Sequence, residues 1–200
     1  MTRKINWVAL AAGIVTLIVL VISLYIPWWE LTVGENLVKI NASPINTNFG
    51  AFGTSFTIPL ILALNLITIL TFSASGIIML IYSVIPTKPY AKHLLSFSYK
   101  KPLYAVVGFV VTLAIILLLV GHFGMYLPIN GSATVTLPGS WTMGATVSAI
   151  VSGTFQLPFF LAVAAAALCI VARFFHGYFV KPLTPEATST ATISVVLNQK

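Results

Sequence analysis

The sequence WVALAAGIVTLIVLVISLYI, residues 7–26, contains no charged side chain and is followed directly by Pro-Trp-Trp. The hydrocarbon core of a bilayer is about 30 Å thick, and a helix needs about 20 apolar residues to cross it. Arg3 and Lys4 precede the run, as basic residues precede the apolar part of a signal peptide. The run is too long for that part, however, and ends in aromatic residues rather than in a small-residue cleavage site. We therefore expect a retained transmembrane helix.

Three further segments have the length and apolar character of a transmembrane helix, namely residues 56–85, 103–126 and 146–175. In the whole chain 58% of the residues are hydrophobic and 6% are charged, whereas soluble domains carry about 25% charged residues. The sequence predicts an all-α membrane protein with a single domain, residues 1–183, that forms a four-transmembrane-helix bundle. Residues 184–200 are expected to be a cytoplasmic tail.

The basic residues predict the orientation of this bundle. The two loops 27–55 and 127–145 contain one basic residue, Lys39, and the other nine lie at the termini and around the loop between the second and third helices. Because Lys and Arg accumulate in cytoplasmic loops, we predict a cell-membrane protein with both termini in the cytoplasm and these two loops outside. The two Asn-x-Ser sequons, at Asn41 and Asn130, fall in the outer loops as candidate glycosylation sites.

The loops have recognisable patterns. Residues 29–33 and 37–41 are strand-like and are separated by a Gly-Glu-Asn turn signal, and residues 133–137 alternate polar and apolar side chains. We expect an outer β-hairpin or small sheet of about three strands covering the bundle. The inner loop, residues 87–102, alternates lysines with aromatic and apolar residues, which favours a position on the lipid headgroups.

This layout resembles that of the claudins. The features in common are four helices, cytoplasmic termini, a longer first outer loop with strand character, and a tryptophan pair, Trp28 and Trp29, after the first helix. The chain has no cysteine in its outer loops, where claudins carry a pair beside a Gly-Leu-Trp motif, since its one cysteine is Cys169. The resemblance is one of topology alone, and topology says little about function. It implies a surface-organising or adhesion protein as one expectation.

The three histidines are the candidates for binding a cofactor or metal. His122 lies near the outer end of the third predicted helix, whereas His93 and His176 lie on the inner side. A haem between helices needs two ligands at similar depth, and no cysteine or carboxylate cluster completes a familiar metal site. We therefore predict that the chain binds no cofactor and no metal. The alternative is a role for His122, which Gly121 and Gly124 flank, in quinol or proton handling.

Polar and small residues recur at helical spacing in two predicted helices. Asn65 and Thr68 lie in the second helix, and the fourth helix contains a stripe at every fourth position, formed by Gly144, Ser148, Ser152 and Gln156. We interpret this pattern as a helix-packing seam, because small and hydroxyl residues let helices approach closely. The alternative is a polar path lined by Asn65, Ser152 and Gln156. Pro158 would also kink the fourth helix by leaving the carbonyl of Thr154 without its donor.

The sequence provides little for catalysis. It contains no Asp, no Gly-x-Ser-x-Gly, no phosphate loop and no Cys-x-x-Cys, so we expect no enzyme activity from the chain alone. Its formal net charge of +7 does not predict a nucleic-acid partner, because the basic residues cluster beside apolar runs. We expect a non-catalytic integral membrane subunit whose partners are the lipid bilayer and other membrane subunits, for example in a respiratory or other oxidoreductase complex. A small passive channel or carrier that acts as a homo-oligomer is a further alternative.

Overall fold

A computed structural model of the protein describes residues 5–34, 37–122, 127–137 and 147–179. This part of the chain folds into a helical bundle and one six-stranded antiparallel sheet. The helices are α1 (Trp7–Ser23), α2 (Pro59–Val84), α3 (Ala91–His122) and α4 (Leu157–Phe179). The strands are β1 (Trp29–Val33), β2 (Val38–Ala42), β3 (Asn48–Ala51), β4 (Thr54–Phe56), β5 (Gly131–Leu137) and β6 (Val147–Phe155).

Three of the described helices are long and apolar enough to cross a membrane. The prediction of membrane-spanning helices is thus confirmed for these three. They are α2, α3 and residues Leu157–Gly177 of α4. The first helix, α1, is also apolar but has 17 residues. It ends at Ser23, and Leu24 caps it, so the helix is shorter than the predicted span of residues 7–26.

The four helices pack as a bundle in which α1 and α3 each contact both α2 and α4. Glycines allow the closest approach, between α1 and α2. A Cβ atom on Gly13 would lie 3.1 Å from the backbone oxygen of Gly76, and one on Gly76 would lie 2.6 Å from the Leu17 side chain. Small residues at helix interfaces allow this kind of contact in membrane proteins.

The predicted boundary between the inner loop and the third helix is wrong. Residues 91–102 belong to α3, and Pro102 lies inside the helix. Proline has no N–H to donate to the carbonyl four residues earlier, that of Ser98. The hydroxyl of Ser75 in α2 donates to this carbonyl instead, at 2.6 Å. The helix therefore continues through Pro102 because a neighbouring helix supplies the missing donor.

The prediction for the fourth helix, residues 146–175, is wrong over residues 147–156, and residue 146 lies outside the described residues. Residues 147–155 form the strand β6, and α4 begins at Leu157. The segment is rich in β-branched residues, which favour a strand, but a short apolar run of this kind does not reveal its type by periodicity. Pro158 is the second residue of α4, where a proline is tolerated, so the predicted kink at Thr154 does not form.

Both predicted outer loops contribute to one sheet, whose strand order is β4-β3-β2-β1-β6-β5. The predicted strands at residues 29–33, 37–41 and 133–137 are confirmed within two residues as β1, β2 and β5. The sheet is larger than the expected three strands because β3, β4 and β6 extend it. Each helix joins the sheet at the same end of the bundle, which we call the sheet end. The opposite end, where α2 connects to α3, is the basic end.

One face of the sheet packs on the helices. Its apolar side chains, including Trp29, Leu31 and Val151, form a buried cluster with Leu113 of α3. The indole N–H of Trp29 also donates to the carbonyl of Ile129 at 2.8 Å, so the link before β5 is fixed against this face. The long helix α3 thus supports the sheet as well as the bundle.

Trp28 joins the sheet to the bundle and is fully buried. Its indole N–H donates to the Ser23 hydroxyl at the end of α1 at 2.8 Å. Its ring packs edge-on against Phe109 of α3 and Phe159 of α4, with centroid distances of 5.3 Å and 6.2 Å. Its backbone N–H donates to the carbonyl of Ala42 in β2 at 3.1 Å. One residue therefore connects three helices to the sheet, the helices through its side chain and the sheet through its backbone.

Candidate functional site

The sheet face turned away from the helices, the outer sheet face, carries rows of hydroxyl and amide side chains. Thr32 of β1 is opposite Ser152 of β6, and Ser152 is opposite Ser132 of β5. Glu30 and Lys39 lie on the same face and form a salt bridge of 2.9 Å. These two residues are the charged groups among the described residues of the sheet. The described part of this face is therefore polar but carries no net charge.

The predicted stripe in the fourth helix is not formed. Ser148 and Ser152 lie on β6, where Ser148 is opposite Thr136 of β5. Gln156 lies between β6 and α4 and donates through its side-chain amide to the Thr154 hydroxyl at 3.0 Å. Gly144 lies outside the described residues. The predicted helix-packing seam is therefore wrong for Ser148 and Ser152, which belong to the outer sheet face instead.

The two predicted site residues of the second helix lie on α2. Asn65 is buried and donates through its side-chain amide to the carbonyl of Thr47, between β2 and β3, at 3.4 Å. The Thr68 hydroxyl donates to the carbonyl of Leu64 in its own helix at 2.9 Å. Asn65 thus contacts one part of the sheet, while Ser152 lies in another strand. The structure does not bring these residues together along one helical path.

The two sequons differ in accessibility. Asn41 lies on β2, where its side-chain amide donates to the Asn48 side-chain oxygen at 2.8 Å, and Ser43 of the same sequon is buried. Asn130 precedes β5 and is exposed, as is Ser132. Of the two candidate glycosylation sites, Asn130 is the accessible one on the folded protein.

A buried polar cluster lies at the basic end of the bundle. Asn6 caps α1 by accepting the Ala9 N–H through its side-chain oxygen at 3.0 Å. Its amide nitrogen is 3.4 Å from the Tyr82 hydroxyl of α2, and that hydroxyl is 2.9 Å from Nδ1 of His176 in α4. All three side chains are buried. The cluster therefore connects the ends of three helices.

The donors in this cluster follow from the chemistry of each group. The Asn6 amide nitrogen can only donate, so the Tyr82 oxygen accepts from it. The Tyr82 hydroxyl proton is then free to point at Nδ1 of His176, which accepts it when the ring is neutral with its proton on Nε2. The arrangement suits a structural tie between α2 and α4.

Sequence reasoning found one member of this cluster, His176, and assigned it to the inner interface. Asn6 could have been recognised as a helix N-cap, because it directly precedes the first apolar run. Tyr82 carries no such signal. Its partner is 94 residues away in the sequence, so only the packing of α2 against α4 reveals the pair.

Two other residues with reactive side chains, His122 and Cys169, lie in different parts of the structure. His122 is the last residue of α3 and is exposed near the sheet end, and Cys169 is buried in the core of the bundle. Within the described ranges, no group of three or more His, Cys, Asp or Glu side chains could hold a metal ion. The role of His122 in quinol or proton handling stays a prediction, as does the expected absence of a cofactor.

The comparisons with known proteins found no relative. No family model matches the chain, and neither the curated proteins nor the solved structures contain a match to it.

Proposed function

We propose that the protein is a non-catalytic integral membrane subunit that binds a partner membrane protein through β5, an edge strand of the described sheet. In the described part of the chain, β5 is one of the two edge strands of the sheet, and β4 is the other. The edge of β5 is the observation that carries the proposal.

Edge strands expose unpaired N–H and C=O groups, and native proteins protect them by keeping the strand short or by placing charges or proline on it. The edge strand β4 has three residues, so it is protected by its length. Strand β5 has seven residues, GSATVTL, with no charge and no proline. An extended segment of a partner can pair with such an edge, with the polar outer sheet face beside it contributing hydrogen bonds.

The membrane arrangement we propose has four spans. At about 1.5 Å per residue, α1 is about 26 Å long, near the lower limit for crossing a bilayer. The backbone N–H of Asn6 donates to the carbonyl of Ser83 at 2.9 Å, so α1 begins beside the end of α2 and leads to the sheet at the opposite end. The positive-inside rule then assigns the basic end to the cytoplasm and the sheet to the outside of the cell membrane. In that orientation Asn130 is the candidate glycosylation site.

The two alternatives differ in what they require. A passive channel needs a polar path across the membrane, and Ser152, which was predicted to line it in the fourth helix, lies in β6. A surface-organising protein would use the same edge of β5 with a second copy of the chain as its partner. A respiratory or other oxidoreductase complex remains one assembly that would contain a subunit of this kind.

The test is purification of the tagged full chain from its own membranes in mild detergent. We expect a stoichiometric complex with a different membrane protein. Thr134→Lys places a charge on the edge strand and should release the partner without changing the melting temperature, since Thr134 is exposed. Thr87→Lys is the matched control, because Thr87 is exposed in the connection between α2 and α3 at the other end, and it should keep the partner.

Four outcomes would overturn the proposal. A chain that purifies alone has no stable partner, and a Thr134→Lys protein that keeps its partner does not use β5. A homo-oligomer that gives ion or solute flux in liposomes supports the channel. A homo-oligomer that gives no flux, and that Thr134→Lys dissociates, supports the surface-organising protein.

A further inference from the structure

The first turns of α3 have two different sides. The side facing the bundle is buried and is formed by Ala91, Leu95, Ser98 and Pro102. The opposite side carries an open surface depression of about 340 Å³, which we call the α3 groove. It is lined by His93, Ser96, Phe97, Lys100, Lys101 and Tyr104.

The α3 groove is positively charged, and no carboxylate among the described residues lies beside it to neutralise it. Glu30 carries the one carboxylate side chain among the described residues, and it pairs with Lys39 in the sheet at the opposite end of the bundle. In the groove, the ammonium group of Lys101 lies 5.3 Å from the centre of the Phe97 ring, which holds it in place by a cation–π contact. Lys100 and Lys101 therefore offer two adjacent positive charges to an anion.

The groove lies where the helix leaves the apolar layer. At about 1.5 Å per residue, the 32 residues of α3 extend about 48 Å, well beyond a hydrocarbon core of about 30 Å. Residues 103–122 carry no Lys, Arg, Asp or Glu and match the length of that core. The residues before Leu103 then lie at the level of the lipid headgroups, with Tyr104 at the boundary. This placement holds whichever way the protein faces.

We propose that the α3 groove binds the headgroup of an anionic phospholipid. Lys100 and Lys101 neutralise the phosphate, the Ser96 hydroxyl donates a hydrogen bond to it, and the ring of Tyr104, at the boundary of the apolar layer, contacts the first part of the acyl chain. A soluble anion would use the charges but not the exposed Tyr104 ring, which is 62% accessible. The proposal does not depend on the edge of β5, so the two proposals can fail separately.

The experiment is native mass spectrometry of the purified full chain in detergent, titrated with phosphatidylglycerol or with phosphatidylcholine. The test variant is Lys100→Gln/Lys101→Gln. The control is Lys88→Gln/Lys92→Gln, which removes the same charge at the same end of the bundle outside the groove lining. Lys100→Arg/Lys101→Arg retains the charge and should retain the lipid, which separates loss of charge from misfolding.

The unmodified chain should bind phosphatidylglycerol more tightly than phosphatidylcholine. Since a basic residue near an anionic surface contributes about 1 kcal/mol, removing two of them should weaken binding roughly thirtyfold. The control should bind within about threefold of the parent, because generic attraction at the surface is diffuse. An equal loss in both double variants, equal binding of the two lipids, or displacement by millimolar inorganic phosphate would overturn the proposal.

Discussion

Replacing Ser75 by Ala tests how α3 continues through Pro102. The Ser75 hydroxyl donates to the Ser98 carbonyl at 2.6 Å, and both serines are buried. Because residue 102 is proline, this carbonyl has no donor from its own helix. Ser75→Ala therefore leaves a buried carbonyl oxygen without that hydrogen bond, while the change in side-chain volume is small.

Two typical values bound the loss of stability that we expect from Ser75→Ala. Leaving a buried polar group unsatisfied typically costs about 1–3 kcal/mol, and a hydrogen bond between membrane helices averages about 0.6 kcal/mol with a maximum near 1.7. We expect Ser75→Ala to lower the free energy of unfolding by about 1–1.5 kcal/mol. In a Pro102→Ala background the backbone N–H of residue 102 is restored and can donate to the Ser98 carbonyl. There, Ser75→Ala should cost less than about 0.5 kcal/mol.

The assay is a double-mutant cycle measured by reversible unfolding of the full chain in mixed micelles with a denaturing detergent. The expected coupling between positions 75 and 102 is about 1 kcal/mol. Ser73→Ala is the control, because the Ser73 hydroxyl donates to the carbonyl of Ile69 within α2, at 2.8 Å. If Ser75→Ala costs the same in both backgrounds, the serine does not replace the donor that proline lacks, and our account of α3 is refuted.

The junction between sheet and bundle provides two further predictions, measured by the same unfolding assay. Trp28→Ala should lower the free energy of unfolding by about 3–5 kcal/mol, because the ring is fully buried. The control is Trp7→Ala, which should lower it by less than about 1 kcal/mol because the Trp7 ring is 70% exposed. Similar losses for the two variants would contradict the central role of Trp28. A Cβ atom on Gly153 would overlap the backbone carbonyl oxygen of Pro128, so Gly153→Ala should cost at least about 3 kcal/mol. The control is Gly108→Ala, which should leave stability unchanged or raise it, because the space around Gly108 in α3 is open. If Gly153→Ala does not lower stability, the link that contains Pro128 moves freely and our reading of this contact is wrong.

The strands that the sequence predicted are those with local signals. Strands β1 and β2 are separated by a turn that begins at Gly34, whose φ is +52°, a left-handed conformation that glycine adopts easily. Strand β5 alternates polar and apolar residues. Strands β3 and β4 were missed because they have four and three residues, too few for periodicity to be recognised.

Two errors in the helix boundaries have distinct physical causes. Only Gln156 separates strand β6 from the apolar start of α4, so the hydropathy of residues 146–175 predicts one helix. Pro158 marks the true start, since proline is favoured in the first turn of a helix. The extension of α3 through Pro102 was not predictable from local sequence, because the donor that permits it, Ser75, belongs to another helix.

The two proposed binding surfaces, the α3 groove and the edge of β5, also differ in how far the sequence predicted them. The lysines of the inner loop, residues 87–102, were predicted to lie at the headgroups, and this expectation led to the α3 groove once Lys100 and Lys101 were placed on one side of a helix. The edge of β5 could not have been recognised, because it requires the strand order of a sheet built from two distant loops.

The most direct test of our account is the accessibility of both loops on intact cells, because the account requires the sheet to lie on one side of the membrane and outside. Single cysteines would be placed at Ser55 in β4, Ser132 in β5 and Thr87 at the basic end, all exposed, in a Cys169→Ala background. A membrane-impermeant thiol reagent should label positions 55 and 132 and should label position 87 only after the cells are opened. Labelling of position 87 on intact cells, or of only one of the two sheet positions, would contradict the account.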